Sequence, residues 1–560
     1  MTRFTSATML IVAAALCASS AIGQSQINNQ TKASLFKCDK INSGFCTELR
    51  HDQQFNNHYS GHDEPALLFY SDKAGAGTNA FYHLTLPVDP PVAPRQDGSG
   101  GTFNFQLHPA FWFGMILCDP QSSPNFTSTC VPGSDANIFD NADPNAADFI
   151  GHHPGSAFLE LQFYPPGGLN TCSDPTQWCV AMAIFSFNFQ DLTGTANNLS
   201  CQEQVGLEPS NFAFLTTDGR SQSPADPLNF DFNNKFGVFP GRTFQMSPGD
   251  RVTVDLQDTP DGLQVVIHDV TAGSMGSMKA SAANGFAHVN FNPDPPAPQP
   301  RKTCTSSPFA FHPMYSTSSE HTRATWAAHT YNISFSDEIG HFELCNAVDQ
   351  EGGNCIQAGV DDPKGLDDDD TGCFTGPFLA LFGLQPIGGC INGDFDFDGA
   401  SYQARWPGTG DPKTDALLKP SPIRFTGAQF RKSDPGDDHL RDYSRVAFEA
   451  DLPDIEFESN PACDIFNSGQ GCTNPPAGTV FYPFFSTAKH KGQCVWQLGG
   501  PNIPGTTNNF GGSSTTEFGD ITGVPFAEPA TPAQPNGSSI IIFGNYRRVL
   551  NENPCRNGDD

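Results

Sequence analysis

Three groups of side chains in this sequence have residue types and spacings suited to chemistry. Asp394-Phe395-Asp396-Phe397-Asp398-Gly399 places acids at alternate positions ahead of a glycine. Carboxylate oxygens at positions one, three and five of such a loop converge on a calcium ion, and the glycine permits the sharp turn. Position twelve is Arg405 instead of a bidentate acid, so further ligands are expected from the Asp367–Asp370 run, Asp368 and Asp370 among them. Glu338 and Glu343 form a second group. Residues five apart on a regular strand point to opposite faces, and a bulge at Gly340 would bring both carboxyls to one face. The third group is histidine beside carboxylate: His152-His153 ahead of Glu160, and His58, His62, Asp63 and Glu64. Such clusters can ligate a transition metal or exchange protons. No HExxH frame accompanies them, and structural or exposed histidines are the expectation. No GxSxG, GxGxxG or phosphate-binding glycine loop follows a strand-like segment, which argues against serine nucleophiles and nucleotide cofactors.

The elements that must position these groups read as strands. The chain has 54 Gly and 47 Pro, which punctuate short segments and discourage long helices. Ala157–Tyr164 (AFLELQFY) runs into Pro165-Pro166-Gly167-Gly168, a strand and its turn. Val180–Phe187 is similar. Arg251–Leu256 and Leu263–Val270 flank Thr259-Pro260-Asp261-Gly262 and predict a hairpin. Further strands are expected near Tyr331–Phe335, Val446–Phe448 and Ser538–Phe543. The expectation is therefore an all-β, disulfide-rich β-sandwich or jelly roll of concanavalin-like type, with few helices. The proline-rich stretch 292–302 marks a linker or a surface crossover. It divides an N-terminal β-sandwich domain, 24–291, from a C-terminal disulfide-rich β domain, 303–560.

The N-terminus, 1–23, reads as a signal peptide: Arg3, an apolar stretch Met9–Leu16, then Ala21-Ile22-Gly23 as a small-x-small cleavage site. A secreted, extracellular protein is expected. Of 17 cysteines, Cys17 leaves with that segment and an even 16 remain, which reads as a disulfide framework. Close neighbours such as Cys172 and Cys179 suit local bridges, leaving Cys201, Cys304, Cys494 and Cys555 for longer links. The net charge of −31 repels nucleic acid and anionic membranes, so neither is expected as a partner. Sequons at Asn29, Asn125, Asn198, Asn332 and Asn536 are candidate surface glycan sites, in a number no greater than chance would supply.

Two resemblances bear on function. Glu338 and Glu343 resemble the outer pair of the E-x-D-x-x-E strand motif of laminarinase-like glycosidases, in which two Glu act as nucleophile and acid/base. Here Gly340 stands where that family has Asp. A retaining glycosidase of this kind needs its carboxyls about 5–5.5 Å apart. The hairpin Val252–Ala272 and the run FLELQFYPPGG resemble pieces of secreted concanavalin-like jelly rolls, including fungal acid glutamic peptidases. Those peptidases use a Gln/Glu pair, and the resemblance casts Glu160 or Glu208 with Gln162 in the roles. Trp112, Trp178, Trp326, Trp406 and Trp496 offer sugar-stacking faces where exposed, although most are expected in the core. The leading expectation is a secreted protein that binds or processes extracellular polysaccharide or cell-wall material, supported by a calcium site. The alternatives are an acid hydrolase with a carboxylate pair, glycosidase ahead of peptidase, and a structural or coat glycoprotein without catalysis.

Overall fold

The computed structural model describes residues 47–49, 66–70, 78–88, 111–122, 156–164, 166, 172, 174, 176–188, 196–230, 241–313, 328–331, 347–348, 355–357, 424–431, 439–450, 485–498, 521–527, 540–550 and 553–556. These are mostly β-strands in antiparallel sheets. An 11-stranded sheet contains, side by side, Arg445–Ala450, Ala66–Tyr70, Ala328–Tyr331, Phe111–Cys118, Ser156–Tyr164, Trp178–Ser186 and Ser210–Phe214. A 9-stranded sheet contains the run Ser274–Lys279, Gln264–Asp269, Arg251–Gln257, Asn79–Thr85, Arg424–Phe425, Gln493–Leu498 and Phe485–His490.

Alternation in the sequence explains which faces are buried. In Arg251–Gln257, Val252, Val254 and Leu256 are buried while Arg251 and Gln257 are exposed, the period-two pattern of a strand with one face on a core. It pairs with Gln264–Asp269 through the expected Thr259–Gly262 turn. Gly262 adopts φ +119, and a Cβ there would lie 2.4 Å from the Ala280 carbonyl oxygen, so only glycine fits this turn.

One buried cluster draws on both sheets. Tyr82 of Asn79–Thr85 meets Phe69 at 6.3 Å and Phe113 at 4.6 Å, and Phe425 meets Phe113 at 6.2 Å between ring centroids. Each aromatic side chain so buried contributes on the order of 1.5–3 kcal/mol.

The strands on either side of residues 292–302 enter the same sheets. Asn79–Thr85 pairs with both Arg251–Gln257 and Arg424–Phe425. The proline-rich stretch itself lies between Ala287–Val289 and Ser306–Pro308, which pair antiparallel. It is thus the connection between two paired strands, and it does not separate the sheets into an early and a late half.

Among the described residues, disulfides join Cys172–Cys179, Cys201–Cys304 and Cys494–Cys555. The first is a local bridge. The other two employ the four cysteines expected in longer links. The short helix Leu199–Val205 is capped by Asn198, whose Oδ1 accepts from the Cys201 N–H at 3.0 Å. Asn198 is fully buried and its Nδ2 donates to the Asn292 carbonyl, so this sequon is not the surface glycan site its pattern suggested. Asn29, Asn125, Asn332 and Asn536 lie outside the described residues. Among the described residues no helix is long and apolar enough to cross a membrane.

Candidate functional site

The strand Ser156–Tyr164 lies between Phe111–Cys118 and Trp178–Ser186. Its sequence sorts by parity. Ala157, Leu159, Leu161 and Phe163 enter the main core. The intervening positions, Phe158, Glu160, Gln162 and Tyr164, therefore stand on the sheet's other face. Register across the strands then defines two rows on that face. One row is Gly114, Glu160, Ala183 and Phe212; the next is Trp112, Gln162, Ala181 and Phe214. Directly opposed Cβ atoms are about 4.5–5.5 Å apart, so the Glu160 side chain is flanked across the sheet by two of the smallest residues, Gly114 and Ala183, both buried.

Aromatic rings share this face of the sheet. Trp112 meets Phe158 edge-on at 5.2 Å, Phe212 meets Phe214 at 5.2 Å, and Tyr164 lies 5.9 Å from Phe214. Glu160 is half-buried, while Gln162 and Tyr164 are buried. Hydrogen bonds run along the strand. Tyr164 Oη donates to Gln162 Oε1 at 2.5 Å, and Gln162 Nε2 donates to Glu160 Oε2 at 2.6 Å. Burial, with the charge of Glu160 adding to it, pushes the Tyr164 phenol well above its usual range, so the hydroxyl stays protonated and acts as a donor. The far end of the strand is anchored: Tyr164 pairs in register with Cys179, which is bridged to Cys172.

The pairing thus unites a carboxyl with a side-chain amide on a rigid central strand. A carboxylate can take a proton from water, and an amide N–H can stabilise developing negative charge. Glu208 occupies a different place. It lies between Leu207, whose carbonyl accepts from the Asn188 N–H, and Pro209, whose carbonyl accepts from the Ser186 N–H. It keeps a partly exposed surface, yet the protein packed around its carboxyl pushes it up to about 7. Of the two glutamates considered as partners for Gln162, the structure joins Glu160 to it.

Two further acid groups have no signal in the sequence. Asp119 is fully buried; it accepts from Ser186 Oγ at 2.6 Å and the Gln121 N–H at 2.9 Å. Burial outweighs these bonds and pushes its carboxyl up to about 6. His288 Nδ1 lies 3.7 Å from it, and burial lowers that histidine. Asp250 and Asp269 occupy adjoining core-side positions at the ends of their strands, both buried. Asp250 is raised, chiefly by burial and then by the neighbouring Asp269. No sequence pattern marks these groups, because their partners are far apart in the chain. Tyr164, by contrast, follows from the E-x-Q-x-Y spacing.

The other expected site residues lie outside the described residues: Glu338, Glu343, Asp368, Asp370, Asp394, Asp396 and Asp398, and the histidines near Glu160 and the N-terminus. Among the described residues no three His, Cys, Asp or Glu side chains cluster as a metal site. Trp112, Trp178 and Trp496 are buried, so they build no exposed sugar-stacking row. Trp326 and Trp406 lie outside the described residues.

No family model matches the chain, and no curated protein matches it. Two solved structures show a distant likeness. One is scytalido-glutamic peptidase with a peptide-based transition state analog, at 9% identity and TM-score 0.19, covering 79% of this chain and 98% of that one. The other is scytalido-glutamic peptidase with a transition state analog inhibitor, at 11% identity and TM-score 0.15, covering 49% and 64%. Likeness at TM-scores this low carries no argument about the fold or activity of this chain.

Proposed function

We propose that this chain is a secreted hydrolase of peptide bonds that works in acid, built on a jelly-roll sheet, with Glu160 as general base and Gln162 as oxyanion donor. The observation that carries the reading is the Glu160–Gln162 hydrogen bond, on the face of the strand opposite the main core. Its mechanism follows from the two groups. Glu160 takes a proton from a water as that water adds to the scissile carbonyl. The free N–H of Gln162 donates to the carbonyl oxygen as it gains charge. Glu160 then returns the proton to the leaving amine as the C–N bond breaks, so the carboxylate is regenerated and no covalent intermediate is required.

The amide favours this reading over a glycosidase. An amide N–H beside the carboxyl can hold the oxyanion formed in peptide hydrolysis, whereas a glycosidase passes through an oxocarbenium-like transition state with no such oxyanion. The buried tryptophans likewise withdraw support from glycan stacking. An even cysteine set and the leader-like N-terminus support secretion, and the raised Asp119 and Glu208 suit a protein that is folded in acid.

The test is hydrolysis of acid-denatured haemoglobin between pH 2 and 7 by the wild type and by Glu160→Gln, which keeps the side chain's size. Loss of a general base lowers kcat by about 10²–10⁴-fold, and loss of an oxyanion donor in Gln162→Leu by about 10²–10³-fold. Equal rates for the wild type and Glu160→Gln would rule the assignment out.

A further inference from the structure

We infer that Tyr164 is a positioning residue that decides which end of the Gln162 amide faces Glu160; the inference rests on the Glu160–Gln162 reading above. A primary amide has an acceptor end and a donor end of nearly the same shape, and its terminal torsion has two broad, roughly equivalent wells. Only one orientation is useful. With Nε2 toward Glu160, the amide donates to the carboxylate and keeps one N–H for substrate. Turned over, Gln162 Oε1 would meet Glu160 Oε2, two acceptors facing each other at hydrogen-bonding distance.

The Tyr164 hydroxyl supplies the selection. It has one proton, and it gives that proton to Gln162 Oε1. Tyr164 is 2% exposed, so water does not substitute for it. Its phenol stays protonated in the range where the site would work. The ring packs against Phe212 and Phe214, at 6.4 and 5.9 Å, and its strand end is held by the Cys172–Cys179 bridge opposite. The arrangement is directional: a fixed donor, then an amide, then the carboxylate. Glu160 and Tyr164 are the titratable side chains of this face of the strand. The flanking positions in the same two rows are Gly114, Ala183, Phe212, Trp112, Ala181 and Phe214, none of which titrates.

Removing the hydroxyl has a consequence that loss of packing would not have. In Tyr164→Phe the amide can turn over whenever Glu160 is protonated, because Oε1 then accepts the carboxyl O–H. The protonated, inactive form gains a partner, and the acidic limb of the pH–rate profile moves to higher pH.

The experiment compares the wild type, Tyr164→Phe, Gln162→Leu, the double variant and Glu160→Gln on acid-denatured haemoglobin. Tyr164→Phe is expected to lower kcat about tenfold with KM unchanged, and to move the acidic limb upward. In the Gln162→Leu background it is expected to have no further effect on kcat, since residues acting through one another are not additive. An unchanged kcat and profile in Tyr164→Phe, with Glu160→Gln inactive, would overturn the positioning role and leave the site assignment standing. Full activity in Glu160→Gln would overturn the site assignment instead. The orientation itself is read without activity, from the side-chain amide proton exchange of Gln162 in protein labelled with 15N-glutamine. Slow exchange that accelerates at least tenfold in Tyr164→Phe supports the inference, and equal exchange overturns it. Should Tyr164→Phe not fold, fast exchange at Gln162 in the wild type would overturn it alone.

Discussion

Raising the pH from about 4 to about 7 should destabilise this fold, and the amount can be worked from its buried carboxyls. Asp119 ordinarily titrates at 3.8 and is pushed up to about 6; Glu208 moves from 4.5 to about 7. A group whose folded value lies above its unfolded value binds more protons in the folded state between the two. Its contribution is therefore fully present below the unfolded value and is lost as pH rises through the folded one. Each tenfold gain in proton affinity on folding is worth about 1.4 kcal/mol, so Asp119 accounts for about 3 kcal/mol. Glu208 accounts for up to about 3 kcal/mol, less in proportion to its exposed surface. Asp250 is raised as well and acts in the same direction, while His83 and His288, lowered by burial, act in the opposite one. Against a total stability of roughly 5–15 kcal/mol, such a loss makes the neutral-pH fold marginal. Urea unfolding midpoints measured from pH 3 to 8 should fall most steeply between about pH 4 and 7. Asp119→Asn isolates one contribution. An asparagine keeps an acceptor for the Gln121 N–H, and Ser186 can rotate its hydroxyl to accept from the new amide. The variant should flatten the slope by about 3 kcal/mol over that interval. A wild-type midpoint that rises across the interval, or a variant slope identical to the wild type, would refute the reasoning.

The two site experiments stand beside two tests of the scaffold. Opening Cys201–Cys304, which spans 103 residues, should cost about 4.7 kcal/mol, whereas opening Cys172–Cys179, which spans 7, should cost about 2.5 kcal/mol; Cys→Ala pairs compared by urea denaturation read the difference, and equal costs would count against a chain-entropy origin. Gly276→Ala should destabilise by about 1–3 kcal/mol, because the added Cβ would sit 2.2 Å from Cγ of Phe244, a fully buried ring; an unchanged melting temperature would show that Phe244 can yield.

How far the fold is legible in the sequence depends on the range of the information. Strand parity is local, so the runs around Leu159 and Val254 and the hairpin at Gly262 can be read directly. The strand expected near Val446 is local in the same way, and it spans Arg445–Ala450. Pairing partners are not local. Nothing near Asn79–Thr85 announces that it pairs with Arg424–Phe425, and so a proline-rich stretch resembles a domain boundary. The site shows the same division. Glu160 and Gln162 stand two apart on one strand and their union follows from period two. Their small flanking residues, Gly114 and Ala183, come from other strands and are invisible without register. Asn198 misleads for a related reason: its sequon also spells a helix cap, and the cap takes the side chain into the interior.

The pairing of Asn79–Thr85 with strands made much later has a bearing on how the chain is produced. The Asn79 side chain bonds Arg431, 352 residues downstream. At a synthesis rate of about 5–20 residues per second, the earlier strand waits roughly 20–70 seconds for its neighbour to exist. Throughout that interval its backbone donors and acceptors on one side are open to mispairing with any other extended segment, including another nascent copy. Slower translation would lengthen the vulnerable period without altering the final fold. Yield in a heterologous host should therefore fall with slower codons and rise with the supply of strand-shielding chaperones.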